Sequence, residues 1–186
     1  IQNAKLMLHL KENVEINILK KLPEIYCEKI KMEQVFQNLI SNAVKYNDKD
    51  ICKIEIDYED LKSHYLIKIK DNGKGIKEKN FERIFQIFQT LQSKDDIEST
   101  GIGLSIVKRI VQLHGGEITV KSKLGEYTIF EFTLKKTSAL SINGLLLSPF
   151  SKSFKSKISL GTFVRFSSFC INFYCYYHFC TKNSSK

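Results

Sequence analysis

A chain of 186 residues, 42% hydrophobic and 26% charged, can bury a sizeable core, and it opens with Ile and no secretory signal. Its formal charge of +9 would suit nucleic acid, but all 20 acidic residues lie at or before Glu131, and the basic excess collects after Lys135. The body is therefore close to balanced, which argues against a nucleic-acid partner, and no run of 18 clean apolar residues predicts a membrane span.

In chain order, residues 1–11 read as the end of a preceding helix or a linker, and the chain reads as a piece of something longer. VEINIL (14–19) reads as a strand. From 31 to 46 the apolar residues Met32, Val35, Phe36, Leu39, Ile40, Ala43 and Val44 recur with helical period. CKIEIDYED (52–60) and HYLIKIKD (64–71) predict an antiparallel strand pair, and NFERIFQIF (80–88) a short apolar helix. The polar stretch 89–100 reads as a mobile loop. Helical period returns from Ile102 to Leu113 and stops at Gly115-Gly116, and the strands EITVKSKL and YTIFEFTL meet at Gly125. Helices with a mostly antiparallel sheet predict an α+β, two-layer α/β sandwich for residues 12–136.

Three polar islands interrupt this apolar scaffold. Asn38, Asn42 and Lys45 fall at i, i+4 and i+7 and form one stripe of the helix 31–46. The stripe suits a solvated face, or a metal and a phosphate, since an Asn oxygen is a ligand of the kind Mg2+ accepts. DNGKGI (71–76) puts Asp71 at a strand end on the buried side. That carboxylate either caps its own turn or accepts a hydrogen bond from a purine amine, with Gly73 and Gly75 letting the base come close. In TGIGLSIVK (100–108), Gly101 and Gly103 precede a helix whose free N–H groups suit an anion. A lone Gly-x-Gly equally serves tight packing, and neither a P-loop nor a Rossmann pattern is present.

The order NLISNAVKY, DNGKGI, FERIF and TGIGLSIVK resembles the N, G1, F and G2 boxes of the sensor histidine kinase ATP-binding domain, over about Val14 to Lys136. The resemblance implies the Bergerat fold, ATP and Mg2+ as ligands, and an ATP lid at 89–100. It implies Asn42 as Mg2+ ligand with Asn38 beside it, and Lys45 and Tyr46 as nucleotide contacts. It implies Asp71 as reader of adenine, supported by Gly73, Gly75 and Ile76, with Gly101, Gly103 and Leu104 as the second glycine box. Phe81, Phe85 and Phe88 look like lid-anchoring apolar residues, and Gln89 stands in the region where many members carry an Arg that reaches the phosphates. Hydrolytic relatives carry a Glu four residues before the metal Asn; this chain has Asn38 there, which cannot be a general base and favours transfer over hydrolysis.

Transfer implies a histidine acceptor on a dimerisation segment and a response-regulator receiver domain as partners, with a homodimer in the full-length protein. None of His9, His64, His114 and His178 sits in an acceptor pattern, and His114 suits a helix C-terminus. The alternative is a nucleotide-binding module without kinase activity that acts through protein contacts. The odd count of five cysteines fits a reducing compartment, so the expected location is the cytoplasm, with membrane anchoring open for the full-length protein. Residues 137–186 read as a low-complexity tail rich in Ser, Phe, Tyr and Cys, disordered or non-native and dispensable for the domain. Its Cys175, His178 and Cys180 have crowded spacing for a metal, and out-of-frame reading of an AT-rich gene would give such a composition.

Overall fold

The computed structural model describes residues 14–88, 101–136 and 155–161. The lid loop 89–100, the segment 1–11, Gln89, His9, His178 and the Cys175–Cys180 cluster lie outside the described residues. Five strands form one sheet in the order β1 (Val14–Ile18), β3 (Cys52–Asp60), β4 (His64–Asp71), β6 (Tyr127–Lys135) and β5 (Ile118–Lys123). Only β1 and β3 run parallel; the other neighbours are antiparallel. Helices α1 (Lys29–Lys45) and α2 (Gly103–Leu113) cover one face, giving the α/β sandwich that the element pattern predicts.

The core lies between these layers because both patterns point apolar groups inward. Helix α1 contributes Met32, Val35, Phe36, Leu39, Ile40 and Ala43, and α2 contributes Val107, Ile110 and Val111. They meet Ile54, Ile56, Ile67, Ile69, Phe130, Phe132 and Leu134 from alternate sheet positions. Phe36 and Phe132 close the centre edge to face, with ring centroids 6.0 Å apart. The opposite face of the sheet is polar. Its cross-strand pairs include Lys70–Glu55 at 3.0 Å and Lys121–Glu131 at 2.8 Å. Burial pushes the thiols of Cys27 and Cys52 up to about 12 and about 11, so both are packing groups and poor nucleophiles.

Local chemistry fixes the element ends. Helix α2 stops where Gly115, at φ 69°, donates to the Gln112 carbonyl and Gly116 donates to that of Val111. Gly116 is required by contact as well, since a Cβ there would lie 1.8 Å from the Thr133 carbonyl oxygen. His114 caps the same helix, with Nδ1 2.9 Å from the Ile110 carbonyl oxygen, in the structural role its position predicts.

Three elements differ from the sequence expectation. The segment predicted as a short helix at 80–88 is two 3-10 turns, Glu78–Asn80 and Arg83–Phe85, too short for an α-helical ladder. A strand β2 (Glu24–Glu28), whose Ile25 and Cys27 alternate inward, is not expected from the sequence. The tail predicted to lie outside the domain includes β7 (Lys155–Ser159), antiparallel to β2, and Leu160 behind it is fully buried. That strand escapes a local reading because its partner lies more than a hundred residues earlier.

Candidate nucleotide site

Helix α1 passes the amino end of α2 with its polar stripe turned toward it. The contact is close: a Cβ built on Gly103 would lie 2.8 Å from Asn38 Oδ1. Asn38 is held in turn by its own Nδ2, which donates to the Gln34 carbonyl at 2.8 Å. The first backbone bond of α2 is Ile106 N–H to the Ile102 carbonyl, so the amides ahead of it have no acceptor within the helix, and no side chain among the described residues caps them. Those donors and the α1 stripe thus converge, with Asn42 one turn beyond Asn38. Among the described residues nothing hydrogen-bonds the half-buried Asn42 side chain. Leu104 packs partly buried against the core and anchors this end of α2.

At the far end of α1, Tyr46 closes the helix by donating its amide to the Asn42 carbonyl. Its ring has the Lys45 ammonium at 5.9 Å and the Lys74 ammonium at 5.3 Å from its centroid. Beneath it, Asp71 ends β4 between Ile54 and Thr128 and is only 7% exposed. Oδ1 accepts the Gly73 amide at 2.9 Å, and no described residue donates to Oδ2. Desolvation pushes the Asp71 carboxyl up to about 6, with the Gly73 bond pulling the other way. A carboxylate sunk in an apolar wall with one oxygen uncommitted matches a ligand that brings its own N–H donor.

The glycine loop after Asp71 is pinned from both sides. Gly75 adopts φ 71°, and a Cβ there would stand 2.4 Å from the Lys123 carbonyl oxygen. Ile76 N–H donates to Ser122 Oγ at 2.8 Å, and Gly125 N–H donates to the Lys74 carbonyl at 2.7 Å. Asn72 is the anchor that sequence reading missed. Its Oδ1 accepts from Lys53 N–H and from Asn47 Nδ2, each at 2.8 Å, and its Nδ2 donates to the Ile51 carbonyl at 2.9 Å.

The structure therefore brings Asn38, Asn42, Gly103 and Leu104 to one end of the site and Lys45, Tyr46, Asp71, Gly73, Gly75 and Ile76 to the other. Gly101 sits at the loop base with φ 65°, where its carbonyl accepts the Phe88 amide at 3.0 Å. That bond joins the two ends of the segment 89–100. Of the three expected anchors, Phe81 and Phe85 pack on the core, Phe85 edge to face with Phe130 at 6.3 Å. Phe88 differs: it adopts φ 62° and is 74% exposed, while Ile84 is the buried residue of this segment.

Comparison with known proteins bears on the family and the fold. Residues 27–138 match the family described as "Histidine kinase-, DNA gyrase B-, and HSP90-like ATPase". The chain is similar to cyanobacterial phytochrome B of Nostoc, 49% identical over 126 residues, which make up 66% of this chain and 16% of that protein. The fold is similar to the catalytic domain of histidine kinase ThkA, with TM-score 0.57, 26% identity and coverage of 73% of this chain and 84% of that one. It is also similar to full-length ShkA in complex with AMPPNP, with TM-score 0.58, 26% identity and coverage of 74% and 30%. The chain thus belongs to the histidine kinase-, DNA gyrase B- and HSP90-like ATPase family, and its folded body is an ATP-binding catalytic domain of the histidine kinase type.

Proposed function

We propose that this domain binds Mg-ATP and transfers the γ-phosphoryl group to a histidine on a dimerisation segment supplied from outside the domain. The observation that carries the reading is the approach of Gly103 to Asn38, which brings the leading amides of α2 onto the stripe that also bears Asn42. An ATP analogue bound to the similar protein ShkA supports it. In this reading Asp71 accepts from the adenine amine, Lys45 and Tyr46 contact the nucleotide, and the amides at Gly103 and Leu104 meet the phosphates. Asn42 holds Mg2+ with Asn38 beside it; the bound ion neutralises charge on the phosphate oxygens. The chain's own groups position and desolvate, which is most of what phosphoryl transfer requires.

Two structural details favour transfer over hydrolysis. Asn38 is a carboxamide whose nitrogen is engaged with Gln34, so it cannot take a proton from water. Glu33 is drawn to Lys29, 3.7 Å away on the same helix, and is no substitute base. A response-regulator receiver domain, a homodimer formed by the full-length protein and a cytoplasmic location complete the reading. Among the described residues no helix is long and apolar enough to cross a membrane.

Given ATP alone, the chain should bind it with Mg2+, release little phosphate and acquire no acid-labile phosphohistidine. Adding a matching acceptor hairpin should restore labelling. Rapid phosphate release would put the chain in a hydrolytic branch, and binding with no labelling of any acceptor would leave a kinase-inactive module. A finer test addresses the packing contact. Gly103→Ala should push the Asn38 carboxamide aside and weaken ATP binding about tenfold, while stability moves by less than about 1 kcal/mol because Ala is the better helix former. If the methyl acts through Asn38, the double variant with Asn38→Ala should bind no worse than Asn38→Ala alone; isothermal titration decides.

A further inference from the structure

We propose that the paired edge of β2 is a strand-acceptor site, occupied in cis and reversibly by the chain's own segment Lys155–Leu160. Strand β2 takes no part in the five-stranded sheet, and β7 is its only paired strand among the described residues. That partner comes from beyond residue 138, where the family match ends, across the connection 137–154. The pairing has the marks of β-strand addition, in which main-chain bonds hold an extended segment and alternate side chains select it.

The selecting side chains can be named. Ile158 faces Ile25 across the pair and packs on the core, and two residues later Leu160 is fully buried in the cluster containing Leu22, Ile25 and Cys27. Leu160 N–H donates to the Pro23 carbonyl at 3.1 Å, so the backbone contact runs one residue past the strand. On the other side Lys157 meets Glu24 at 2.8 Å, with both side chains more than half exposed. The site thus takes an extended segment with apolar residues at alternate positions, the first of them preceded by a basic residue. Among the described residues, Ile158 and Leu160 are the apolar side chains by which the strand reaches the core, and this small apolar hold beside the main-chain ladder makes the docking exchangeable. An open edge would otherwise invite pairing with another chain.

Native-state hydrogen exchange on the unmodified chain tests the reversibility. The amides of β2 and β7 should exchange as one unit, on the order of a hundredfold faster than those of β4 and β6. Equal protection in both sheets would make β7 an integral strand and overturn the proposal. The second arm uses full-length Leu160→Asp and a fluorescent peptide of residues 153–162, read by anisotropy. The peptide should bind the variant about tenfold more tightly than the unmodified chain, whose own strand competes, and the same peptide with Leu160→Asp should not bind. Failure to bind a folded variant, or equal binding to both chains, would sink the site. A dimer of the unmodified chain that dissolves on Leu160→Asp would show exchange between copies and overturn the cis assignment.

Discussion

Asp71→Asn is expected to give a domain that is more stable than the native one and binds nucleotide more weakly. The two effects share one cause. The Asp71 carboxyl is pushed up to about 6 by burial, so between the ordinary carboxylate range and that value the native state holds a proton that the unfolded chain has lost. Stability from this group is therefore fully present in acid, falls as the pH rises through about 6, and is absent at neutral pH. A neutral carboxamide removes the burden, and the urea midpoint at pH 7.5 should rise by an amount corresponding to at most about 3 kcal/mol. Binding moves the opposite way. The Gly73 amide demands an oxygen at the Oδ1 position, so the substituted carboxamide would turn its NH2 group toward the adenine amine and set donor against donor. A loss of about 1–3 kcal/mol in ATP binding follows. In the native protein, carbon-detected NMR of the Asp71 carboxyl should titrate near 6 when free and lower with nucleotide bound. A variant that loses stability and binding together would make Asp71 a structural cap of its own turn.

The parts of the site legible in the sequence were those set by local geometry. Helical period aligns Asn38 and Asn42 on α1, and strand alternation puts Asp71 on the inner face of β4; the structure has both. Contacts between distant segments left no local trace. An Asn-Gly turn marks the loop after Asp71, but that Asn72 ties it to Asn47, Ile51 and Lys53 depends on how β3 and β4 pair. The same holds for Gly75 against Lys123, where a residue far along the chain makes a glycine necessary. Strand β7 is the extreme case. Its Ile158 and Leu160 are ordinary residues of a Ser- and Lys-rich stretch until β2 supplies an edge and core residues to pack on. Phe88 shows the converse error, in which an aromatic residue read as an anchor is left exposed, at a position of positive φ.

Asn42 should separate metal binding from nucleotide binding more sharply than any other position. It lies in the middle of the α1 stripe, half-buried and one turn from the Asn38–Gly103 contact, where its carboxamide has no described partner. If it holds the metal, Asn42→Ala should leave Mg-free nucleotide binding nearly unchanged and remove the gain in affinity that Mg2+ brings. Asn42→Asp should behave differently, because a full negative charge facing the triphosphate in a partly desolvated site costs about 2 kcal/mol. Mg-free binding should therefore weaken about thirtyfold, with partial recovery on adding Mg2+, since a carboxylate is itself a good ligand. Phosphoryl transfer to an acceptor hairpin should be lost in both, because transfer depends on placement of the reacting groups and each substitution alters the ion's seat. Titrations with and without Mg2+, alongside phosphohistidine labelling, read all three quantities. If Asn42→Ala weakens nucleotide binding equally with and without Mg2+, Asn42 contacts the nucleotide directly and the metal is held elsewhere.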